Sequence, residues 1–557
     1  MNAPGTLSEA LQRAARSRCG LQTVEHDGRS ADLPYEVLLQ RALTGAGALS
    51  SAGLTAGDRV ALLIPETAQF IEAFFAIQAA GLVPVPLVPP AQAGDVVTFE
   101  RQTRRLLQAS RSAAVVTTPD VAPLLKISDL DSLQRVMTTD ALAIAAPLPA
   151  PVSLSPDAPA LLQFTSGSTA APKGVVLSHR NLLTNVAAIA GPHGLGVTAE
   201  DVGVSWLPLY HDMGLIGMLL TAVWAANPAV LLSPVLFLKR PTVWLEAMSR
   251  HRATVSFAPN FAYELCLRRV KSSQIAALDL SNWRVAGCGA EPIRPDTLEA
   301  FAERFAPAGF RASAFVPSYG LAEHSLAVTM SRQGFRLDHV DANRLGRDSI
   351  ATAPQNGSPA VRLVGCGRPF PGHDVRIVSE DGHPLPERHV GRILARGPSV
   401  MGGYFDDPAA TAEALRDGWL ETGDLGYIAD GSLFVCGRIK DLIIRQGRKY
   451  HPPDIESAIA DLDGLRSFGV VVFAVTRANE PDEVVAVLEA RASAVSDAVV
   501  DQVRRRVRET AGLELDRVVV APPGSIPRTT SGKIRRAETR ARLESGTLAG
   551  GREDRAQ

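Results

Sequence analysis

The segment from Leu33 to about Val88 alternates helical periodicity with short apolar runs. Val60–Ile64 and Val83–Leu87 have the length and composition of strands, and Phe70–Ala80 between them has apolar residues at helical spacing. Ala113–Val116 predicts a further buried strand. Because strands that alternate with helices form parallel sheets covered by helices, we predict an α/β fold for this part of the chain.

Past Gly367 the pattern changes to short alternating strands separated by turn signals. Asp374–Val378 and Gly391–Ala395 are two such strands. They indicate a small β-rich subdomain at about 367–437. We therefore predict a large N-terminal domain over residues 1–437 that ends in this subdomain.

A second, smaller α+β domain is predicted over residues 442–546. Its expected helices and strands, in chain order, are the helix Ile455–Leu462, the strands Gly469–Val475 and Val484–Ala490, and the helix Ala498–Thr510. Residues 547–557 are rich in glycine and charge, and we expect this tail to be disordered.

One run, Leu215 to Leu232, carries no charge and is long enough to cross a bilayer. Asn227-Pro228 interrupts it, and a His-Asp pair that reads as part of a site precedes it. We interpret the run as a buried helix, a turn and a buried strand. No integral membrane contact is expected.

The composition is that of an ordinary globular enzyme and excludes a strong general attraction to polyanions. The 557 residues contain 57 Lys+Arg and 58 Asp+Glu, a net charge of −1, so neither nucleic acid nor an anionic membrane is an expected partner. The five cysteines are odd in number and far apart, with no Cys-x-x-Cys pair. Reduced thiols and a cytoplasmic location are the simplest interpretation.

The stretch 162–179 places hydroxyls, small residues and one lysine between two apolar runs, which predicts strand, loop and strand. Small residues let backbone N–H groups curl around an anion, hydroxyls add donors, and the lysine adds a charge. The loop is not the common P-loop, because Pro172 and Gly174 stand where that motif needs Gly and a hydroxyl. An ordinary polar hairpin is the alternative. The predicted phosphate-binding residues are Thr165, Ser166, Gly167, Ser168, Thr169 and Lys173.

Five blocks in one order resemble the AMP-forming ligases, a superfamily that includes acyl-CoA synthetases, nonribosomal adenylation domains and luciferases. The blocks are the loop at 162–179, Gly287–Pro292, Pro317–Glu323, Gly418–Asp424 with Gly437-Arg438, and Pro527–Ile534. The resemblance covers nearly the whole chain. It implies ATP as a substrate, Mg²⁺ as its companion ion, and a mobile C-terminal domain.

The resemblance also assigns roles within these blocks. Tyr319 would stack on adenine, Asp424 and Arg438 would bind the ribose, and Glu323, joined by Thr165, would bind Mg²⁺. The other predicted ATP/AMP-binding residues are Gly289, Ala290, Glu291, Ser318, Gly320 and Leu321. For Glu291 and Thr165 a purely structural role stays open, since a backbone contact leaves the side chain free.

Three further residues are predicted to act in catalysis or domain motion. Lys533 would reach the α-phosphate and the substrate carboxylate, where a cation lowers the barrier between two anions. His211 is a predicted catalytic residue at the carboxyl end of the Val202–Pro208 strand, where open α/β sheets place their sites. The resemblance makes residues 438–441 the hinge, with Lys440 as its pivot.

Within the superfamily, three stretches resemble the fatty acyl-AMP ligase branch. They are Trp206–Gly217, Ala258–Cys266 and Leu363–Pro369. The long segment Ser325–Val364 lies where an insertion in this branch disfavours use of CoA. The implied acid is a medium- or long-chain fatty acid, and the implied acceptor is the phosphopantetheine thiol of an acyl carrier protein. The predicted acyl pocket consists of Met213, Gly214, Phe257 and Phe261.

Two other functions remain open at this point. An acyl-CoA synthetase would use CoA as the acceptor, and a catalytically silent scaffold would bind nucleotide only. Retention of Glu323, Asp424, Arg438 and Lys533 argues against the scaffold. His451 departs from the branch pattern, which has an aromatic there. The arginines that would dock an acidic carrier, or form a solvated face instead, are Arg504, Arg505, Arg506, Arg508, Arg535 and Arg536.

Overall fold

The structure is a computed structural model of the chain. The residues that it describes are 3–90, 96–125, 127, 133–165, 172–332, 334–355, 357–445, 448–460, 462, 465, 469–475, 482–490, 497–528, 534–548 and 552–555.

The N-terminal domain is a mixed α/β structure, as the apolar pattern predicts. Its helices are α1 (Leu7–Ala14), α2 (Tyr35–Ser51), α3 (Thr67–Ala79), α4 (Val96–Ser110), α5 (Thr139–Leu142), α6 (His179–Ala190), α7 (Thr221–Ala225), α8 (Pro234–Lys239), α9 (Thr242–Arg250), α10 (Asn260–Arg269), α11 (Ser272–Ile275), α12 (Pro295–Phe305), α13 (Ala342–Asp348) and α14 (Pro408–Ala414). A π-helix covers Met213–Leu220, and short 3₁₀ turns cover Ala122–Leu124, Ala306–Ala308, Ala312–Ala314 and Ala322–His324.

The strands of the N-terminal domain divide among several sheets. They are β1 (Gly20–Val24), β2 (Ser30–Pro34), β3 (Arg59–Leu63), β4 (Val83–Pro86), β5 (Ala114–Thr117), β6 (Arg135–Thr138), β7 (Pro159–Phe164), β8 (Gly174–Ser178), β9 (Gly203–Ser205), β10 (Ala229–Leu232), β11 (Val255–Ala258), β12 (Val285–Cys288), β13 (Phe315–Gly320), β14 (Ala327–Met330), β15 (Leu337–Asp341), β16 (Ala360–Val364), β17 (Arg368–Pro369), β18 (Asp374–Val378), β19 (Gly391–Arg396), β20 (Gly403–Tyr404), β21 (Leu415–Arg416), β22 (Trp419–Ala429) and β23 (Ser432–Arg438).

Two largely parallel sheets form the body of this domain. The larger has nine strands in the order β17-β14-β13-β12-β11-β9-β10-β1-β2, and the smaller has the parallel order β4-β3-β5-β6. β13, β12, β11, β9, β10 and β1 run parallel, so their carboxyl ends meet at one edge. The loops at that edge carry His211, Ala290 and Glu323, which is where a site belongs in such a sheet.

The predicted β-rich subdomain is present, with one exception. β18, β19, β22 and β21 form an antiparallel sheet, and β23 pairs with β22. β20 lies within the same stretch of sequence but pairs with β8, next to the predicted phosphate loop. This short strand therefore ties the β-rich part of the chain to that loop.

The uncharged run from Leu215 to Leu232 has the predicted form. The π-helix continues into α7, Ala226 adopts a left-handed φ of 56° that ends the helix, and β10 follows as a buried strand. Across the residues that the structure describes, no helix is both long enough and apolar enough to cross a membrane.

The C-terminal domain has its own apolar core. Its elements are a 3₁₀ turn (Ile439–Asp441), β24 (Ile443–Arg445), β25 (Arg448–Tyr450), α15 (Pro452–Ile459), β26 (Val470–Val475), β27 (Glu483–Glu489), α16 (Asp497–Ala511), β28 (Arg517–Ala521), α17 (Arg536–Glu544) and β29 (Arg552–Arg555). β26, β27, β28 and β29 form one sheet, and valines from its two faces pack beneath α15, α16 and α17.

Two expectations for this domain need correction. The tail was expected to be disordered, yet Arg552–Arg555 pair with β28 as an antiparallel strand. Glu553 pairs with Arg517, and Asp554 accepts from Arg504, so the charges of the tail are neutralised within the sheet.

The arginines proposed as a docking or solvated face are largely engaged within the domain. Arg504 and Arg536 side chains are only 12% and 14% exposed, the latter between Asp441 and Glu456. Arg508 pairs with Glu514 and Arg535 with Glu538. Arg504 and Arg536 are thus held within the domain, whereas Arg505 and Arg508 are exposed, as on a solvated face.

Candidate active site

A cleft of about 1230 Å³ lies where the large sheet, the β-rich subdomain and the C-terminal domain meet. It brings together residues from blocks that are far apart in the sequence. The predicted site residues on its wall are Thr165, Lys173, His211, Met213, Phe257, Ala290, Glu291, Ser318, Tyr319, Gly320, Leu321, Glu323, Asp424, Arg438 and Lys440. Ser166, Gly167, Ser168, Thr169 and Lys533 lie outside the described residues.

Tyr319, Asp424 and Arg438 form one corner of the cleft, which we call the ribose corner. Asp424 and Arg438 are cross-strand neighbours on β22 and β23. The Tyr319 hydroxyl donates to Asp424 Oδ2 at 2.6 Å, and Arg438 Nε lies 3.3 Å from Asp424 Oδ1. Burial, and then the charge of Asp424, raise the pKa of Tyr319 far above its usual value, so its hydroxyl remains a donor.

The ribose corner is thus assembled from the protein alone. Asp424 accepts from Tyr319 and lies beside Arg438, and its carboxylate is of the kind that also accepts from the hydroxyl groups of a sugar.

The turn after β12 forms a second wall beside Tyr319. Ala290 has a left-handed φ of 69°, an unusual conformation for a residue with a side chain. Gly289 lies behind this wall, where a Cβ atom would come within 2.8 Å of the Ser318 carbonyl oxygen. The turn therefore presents its backbone to the cleft.

Glu291 contributes differently from its neighbours. Its Oε1 accepts from the Phe261 backbone N–H at 2.7 Å, at the first turn of α10. A carboxylate at a helix N-terminus satisfies an unpaired N–H group. The side chain of Glu291 thus has a structural contact with α10.

Glu323, Thr165 and Lys173 form another part of the cleft wall, which we call the phosphate end. Glu323 lies in the 3₁₀ turn after β13, and burial raises the pKa of its carboxyl group. Thr165 and Lys173 close the base of the predicted phosphate loop, because the Thr165 N–H donates to the Lys173 carbonyl at 3.2 Å. These residues offer a carboxylate, a hydroxyl and a cation to a shared ligand.

This donor set fits Mg²⁺ bound together with phosphate. Carboxylate and hydroxyl oxygens are the hard ligands that Mg²⁺ prefers, and the ion usually keeps several waters and phosphate oxygens. Over the described part of the chain, no group of three or more His, Cys, Asp or Glu side chains could hold a metal on its own. A site with one carboxylate matches the phosphate-bound form of the ion.

Tyr404 contacts both Glu323 and Lys173, and it was not identified from the sequence. Its hydroxyl donates to Glu323 Oε1 at 2.9 Å, and Lys173 Nζ lies 4.8 Å from the centroid of its ring. Its backbone belongs to β20, the short strand that pairs with β8. No local pattern could identify it, because a two-residue strand with a partner more than 200 residues away in the sequence has no periodicity of its own.

His211 lies on the cleft wall as part of a pair with Asp212. Its Nδ1 is 2.6 Å from Asp212 Oδ1, and both side chains are mostly buried. The Met213 backbone N–H also lies 3.4 Å from the same Nδ1. The proposed catalytic role of His211 is compatible with this position.

An apolar arm of the cleft corresponds to half of the predicted acyl pocket. Met213 and Phe257 line it together with Ile189, Leu326 and Met330. Gly214 and Phe261 lie in the packing behind the wall, which departs from the prediction. Gly214 abuts the Pro208 carbonyl, and the Phe261 ring lies edge-on against Trp206 at 5.9 Å.

Lys440 lies on the cleft wall in the 3₁₀ turn between the domains. On one side of it, Arg438 contacts Asp424 of the N-terminal domain. On the other side, Asp441 accepts from Arg536 of the C-terminal domain at 2.7 Å. Ile439 and Lys440, both exposed, are the two residues between these anchors.

Known proteins match this chain over nearly its whole length. Residues 11–405 match the family model described as AMP-binding enzyme. A protein of Moorena producens named medium-chain-fatty-acid–[acyl-carrier-protein] ligase JamA is 35% identical over 96% of this chain and 94% of its own length. A protein of Caulobacter vibrioides, provisionally named acyl-CoA synthetase, is 39% identical over 97% and 96%.

A solved structure is similar to the same extent. A chain from a study of fatty acyl-adenylate ligases from E. coli and L. pneumophila superposes with a TM-score of 0.91 and is 39% identical. The match covers 97% of this chain and 98% of that one. The arrangement of sheets, subdomain and cleft is therefore shared along nearly the whole length.

Proposed function

The chain belongs to the AMP-binding enzyme family and is similar throughout to fatty acyl-AMP ligases, and from this we propose that it activates a medium- or long-chain fatty acid with ATP. The products of this first step are fatty acyl-AMP and pyrophosphate. In the second step the acyl group passes to the phosphopantetheine thiol of an acyl carrier protein, and AMP leaves.

One observation carries the proposal: the ribose corner, the phosphate end and an apolar arm open into a single cleft. ATP lying from Tyr319 to Lys173 would bring its α-phosphate to the middle of the cleft. The arm lined by Met213 and Phe257 would deliver a carboxylate to the same place. Each CH₂ buried in the arm contributes about 0.8 kcal/mol, which favours alkyl acids over short polar ones.

In the first step a carboxylate oxygen attacks the α-phosphorus and the bond to pyrophosphate breaks. Both reactants are anions, so cations placed at the reacting groups account for much of the rate. Lys173 is one such cation, and Lys533 is proposed as another. Glu323 and Thr165 would hold Mg²⁺, which neutralises charge on the phosphates.

The second step is proposed to need rotation of the C-terminal domain about Ile439 and Lys440. The anchors on either side support this position, since Arg438 is tied to one domain and Asp441 to the other. A hinge is a short stretch that absorbs a backbone change between two fixed parts. We propose Lys440 as the pivot of this rotation, which is the role that the family resemblance implies for it.

An acyl carrier protein is favoured over CoA as the acceptor. Within the segment Ser325–Val364, α13 contacts the C-terminal domain, where Arg448 Nη2 donates to Asn343 Oδ1 at 2.7 Å. A contact of this kind restricts the positions open to that domain, in agreement with the role proposed for the segment. JamA, which is similar over its whole length, is named for a carrier protein.

The proposed location is the cytoplasm. All five cysteines have free thiols, and four of them are buried. Unpaired cysteines are typical of a reducing compartment.

The two acceptors are separated by a discharge experiment. The purified chain is loaded with radiolabelled fatty acid, ATP and Mg²⁺, and the acyl-adenylate is then offered to holo carrier protein, apo carrier protein or CoA. We expect rapid loss of acyl-AMP with the holo carrier only, because the apo form has no thiol. Equal or faster discharge by CoA would assign the chain to the acyl-CoA synthetases.

A further inference from the structure

The contacts of Tyr404 link the two chemical groups at the phosphate end of the cleft. Its hydroxyl binds one oxygen of Glu323, and its ring faces the ammonium group of Lys173. A cation over an aromatic face is attracted by the negative charge of that face. One side chain thus contacts the proposed metal ligand and the phosphate-loop lysine at the same time.

Hydrogen bonds of the backbone hold the segment around Tyr404 in place. The Met401 N–H donates to the Glu323 carbonyl at 2.8 Å, and the Phe405 N–H donates to the Gly174 carbonyl at 2.7 Å. Between them, the Tyr404 N–H donates to Thr411 Oγ1 at 2.9 Å. The segment 401–405 therefore runs as a strap from the Glu323 turn to the phosphate-loop strand.

The hydrogen bond from the Tyr404 hydroxyl to Glu323 Oε1 restrains rotation of the carboxylate and so helps to set the direction in which it faces a ligand. Carboxylates that bind metals are commonly oriented by such a neighbouring donor, and loss of that donor weakens metal binding.

We propose that Tyr404 is a positioning residue that presents Glu323 to the metal ion of the nucleotide and holds Lys173 beside it. The proposal rests on the proposed function, since it takes Glu323 to be the metal ligand. The role proposed for Tyr404 acts through Glu323 and Lys173, which it contacts. Its effect is therefore expected in metal binding before it is expected in the chemical step.

A second tyrosine provides a matched control. The Tyr427 hydroxyl donates to Asp338 Oδ2 at 2.7 Å, a tyrosine–carboxylate pair of the same kind on β22 and β15. Tyr427 is fully buried and does not lie on the cleft wall. Tyr427→Phe and Tyr404→Phe each remove one hydroxyl group that binds a carboxylate, but Tyr427 binds Asp338 and not Glu323.

The test measures Mn²⁺ binding to the full chain by electron paramagnetic resonance, with the non-hydrolysable analogue α,β-methylene-ATP present. We expect Tyr404→Phe to weaken Mn²⁺ binding about 10-fold. The Mg²⁺ concentration for half-maximal adenylation should rise by a similar factor. Tyr427→Phe should leave both quantities within about 2-fold, and Glu323→Gln should abolish nucleotide-dependent Mn²⁺ binding.

The outcomes separate this proposal from the function on which it rests. Unchanged Mn²⁺ affinity in Tyr404→Phe, with binding lost in Glu323→Gln, would overturn the role of Tyr404 and leave the function intact. Equal weakening in Tyr404→Phe and Tyr427→Phe would also overturn it, since a general loosening would explain both. Absence of nucleotide-dependent binding in the unmodified chain would overturn both proposals.

The ring contact is tested separately with Tyr404→Leu. Because this variant loses the ring as well as the hydroxyl, we expect the KM for ATP to rise about 3-fold beyond that of Tyr404→Phe. The same KM in both variants would show that Lys173 does not depend on the ring.

Discussion

At the ribose corner, a buried carboxylate is held by Tyr319 of β13 and Arg438 of β23, whereas the contacts across the junction of the two domains include an ion pair with an exposed carboxylate. Asp424 is 7% exposed and is fixed by Tyr319 and Arg438. Across the junction, Lys449 Nζ lies 3.4 Å from an oxygen of Glu380, which is 84% exposed. Exposed pairs contribute about 0–1 kcal/mol, while buried charge-assisted contacts contribute more.

The two regions of the cleft therefore differ in how firmly their contacts hold them. The corner proposed to receive the nucleotide sugar is already held by the protein's own contacts, so it should need little rearrangement on binding. Among the contacts that join the C-terminal domain to the N-terminal domain, the Lys449–Glu380 pair can break and form again at low cost. Binding should therefore depend on the N-terminal domain, and the rates of the two half-reactions on the C-terminal one.

Removal of the Lys533 side chain should reduce the rate of adenylation more than any other change considered, and it tests the role of the C-terminal domain. We expect Lys533→Ala to lower the rate of adenylation by about 10²–10³, the usual result of removing one electrostatic donor to a transition state. Pyrophosphate release is the measurement. Lys449→Ala is the control, because Lys449 is a lysine of the cleft wall whose ion pair with the exposed Glu380 lies at the surface, and it should change the rate by less than about 3-fold. Near-normal pyrophosphate release by Lys533→Ala would remove that residue from the mechanism.

Loss of the Asp424 charge should weaken nucleotide binding and so tests the fixed side. Asp424→Asn leaves Arg438 without its partner and offers the ribose weaker acceptors, so the Kd for AMP should rise about 10- to 100-fold. Calorimetric titration with AMP measures it. Tyr319→Phe removes one neutral donor and should cost less than Asp424→Asn. If both variants bind AMP as the unmodified chain does, the corner is not the sugar site.

Stiffening the hinge should separate the half-reactions. Lys440→Pro fixes φ at the proposed pivot, so we expect acyl transfer to fall about 10-fold while adenylation stays within about 3-fold. Single-turnover assays of the two steps provide the measurement. Ile439→Ala, which leaves the backbone free to rotate, is the control. A variant in which both steps slow equally would indicate a loss of structure and not of motion.

The smallest effect concerns His451, which replaces the expected aromatic and is 6% exposed. Burial lowers its pKa to about 4, well below the ordinary value near 6.5. Between pH 6.5 and 4 the unfolded chain therefore binds a proton that the folded chain does not, and the free energy of unfolding falls as the pH falls. Above pH 6.5 this contribution to stability is complete.

His451→Phe should remove that acid sensitivity. We expect the difference in unfolding free energy between pH 7 and pH 5 to be smaller by about 1–2 kcal/mol in the variant, measured by urea unfolding. His383→Phe is the control, since His383 is exposed. An unchanged pH dependence in His451→Phe would mean that another group governs acid stability.

The parts of the fold that follow from local pattern were predictable, and those that depend on distant pairing were not. The strand Asp374–Val378 has the predicted bounds, because alternation along one strand is visible in the sequence. β20 was missed because two residues cannot show alternation, and its partner lies in the phosphate-loop hairpin. The strand Arg552–Arg555 was missed because a run of charged residues is typical of a disordered segment. In the folded chain its two acidic residues pair with Arg504 and Arg517.

The site shows the same limit. The ordered blocks were sufficient to select Tyr319, Glu323, Asp424 and Arg438, and the structure brings them to one cleft. The sequence could not show that the Tyr319 hydroxyl binds Asp424, or that Glu291 uses its side chain on α10. Side-chain partners depend on orientation in the folded state, which residue type alone does not determine.

The central claim is that one cleft aligns a fatty carboxylate with the α-phosphate of ATP. The most direct measurement is mass spectrometric detection of acyl-AMP after the purified chain is incubated with ATP, Mg²⁺ and a series of fatty acids of increasing length. The account predicts acyl-AMP and an equal amount of pyrophosphate with at least one medium- or long-chain acid. Absence of acyl-AMP with every acid in the series would contradict it.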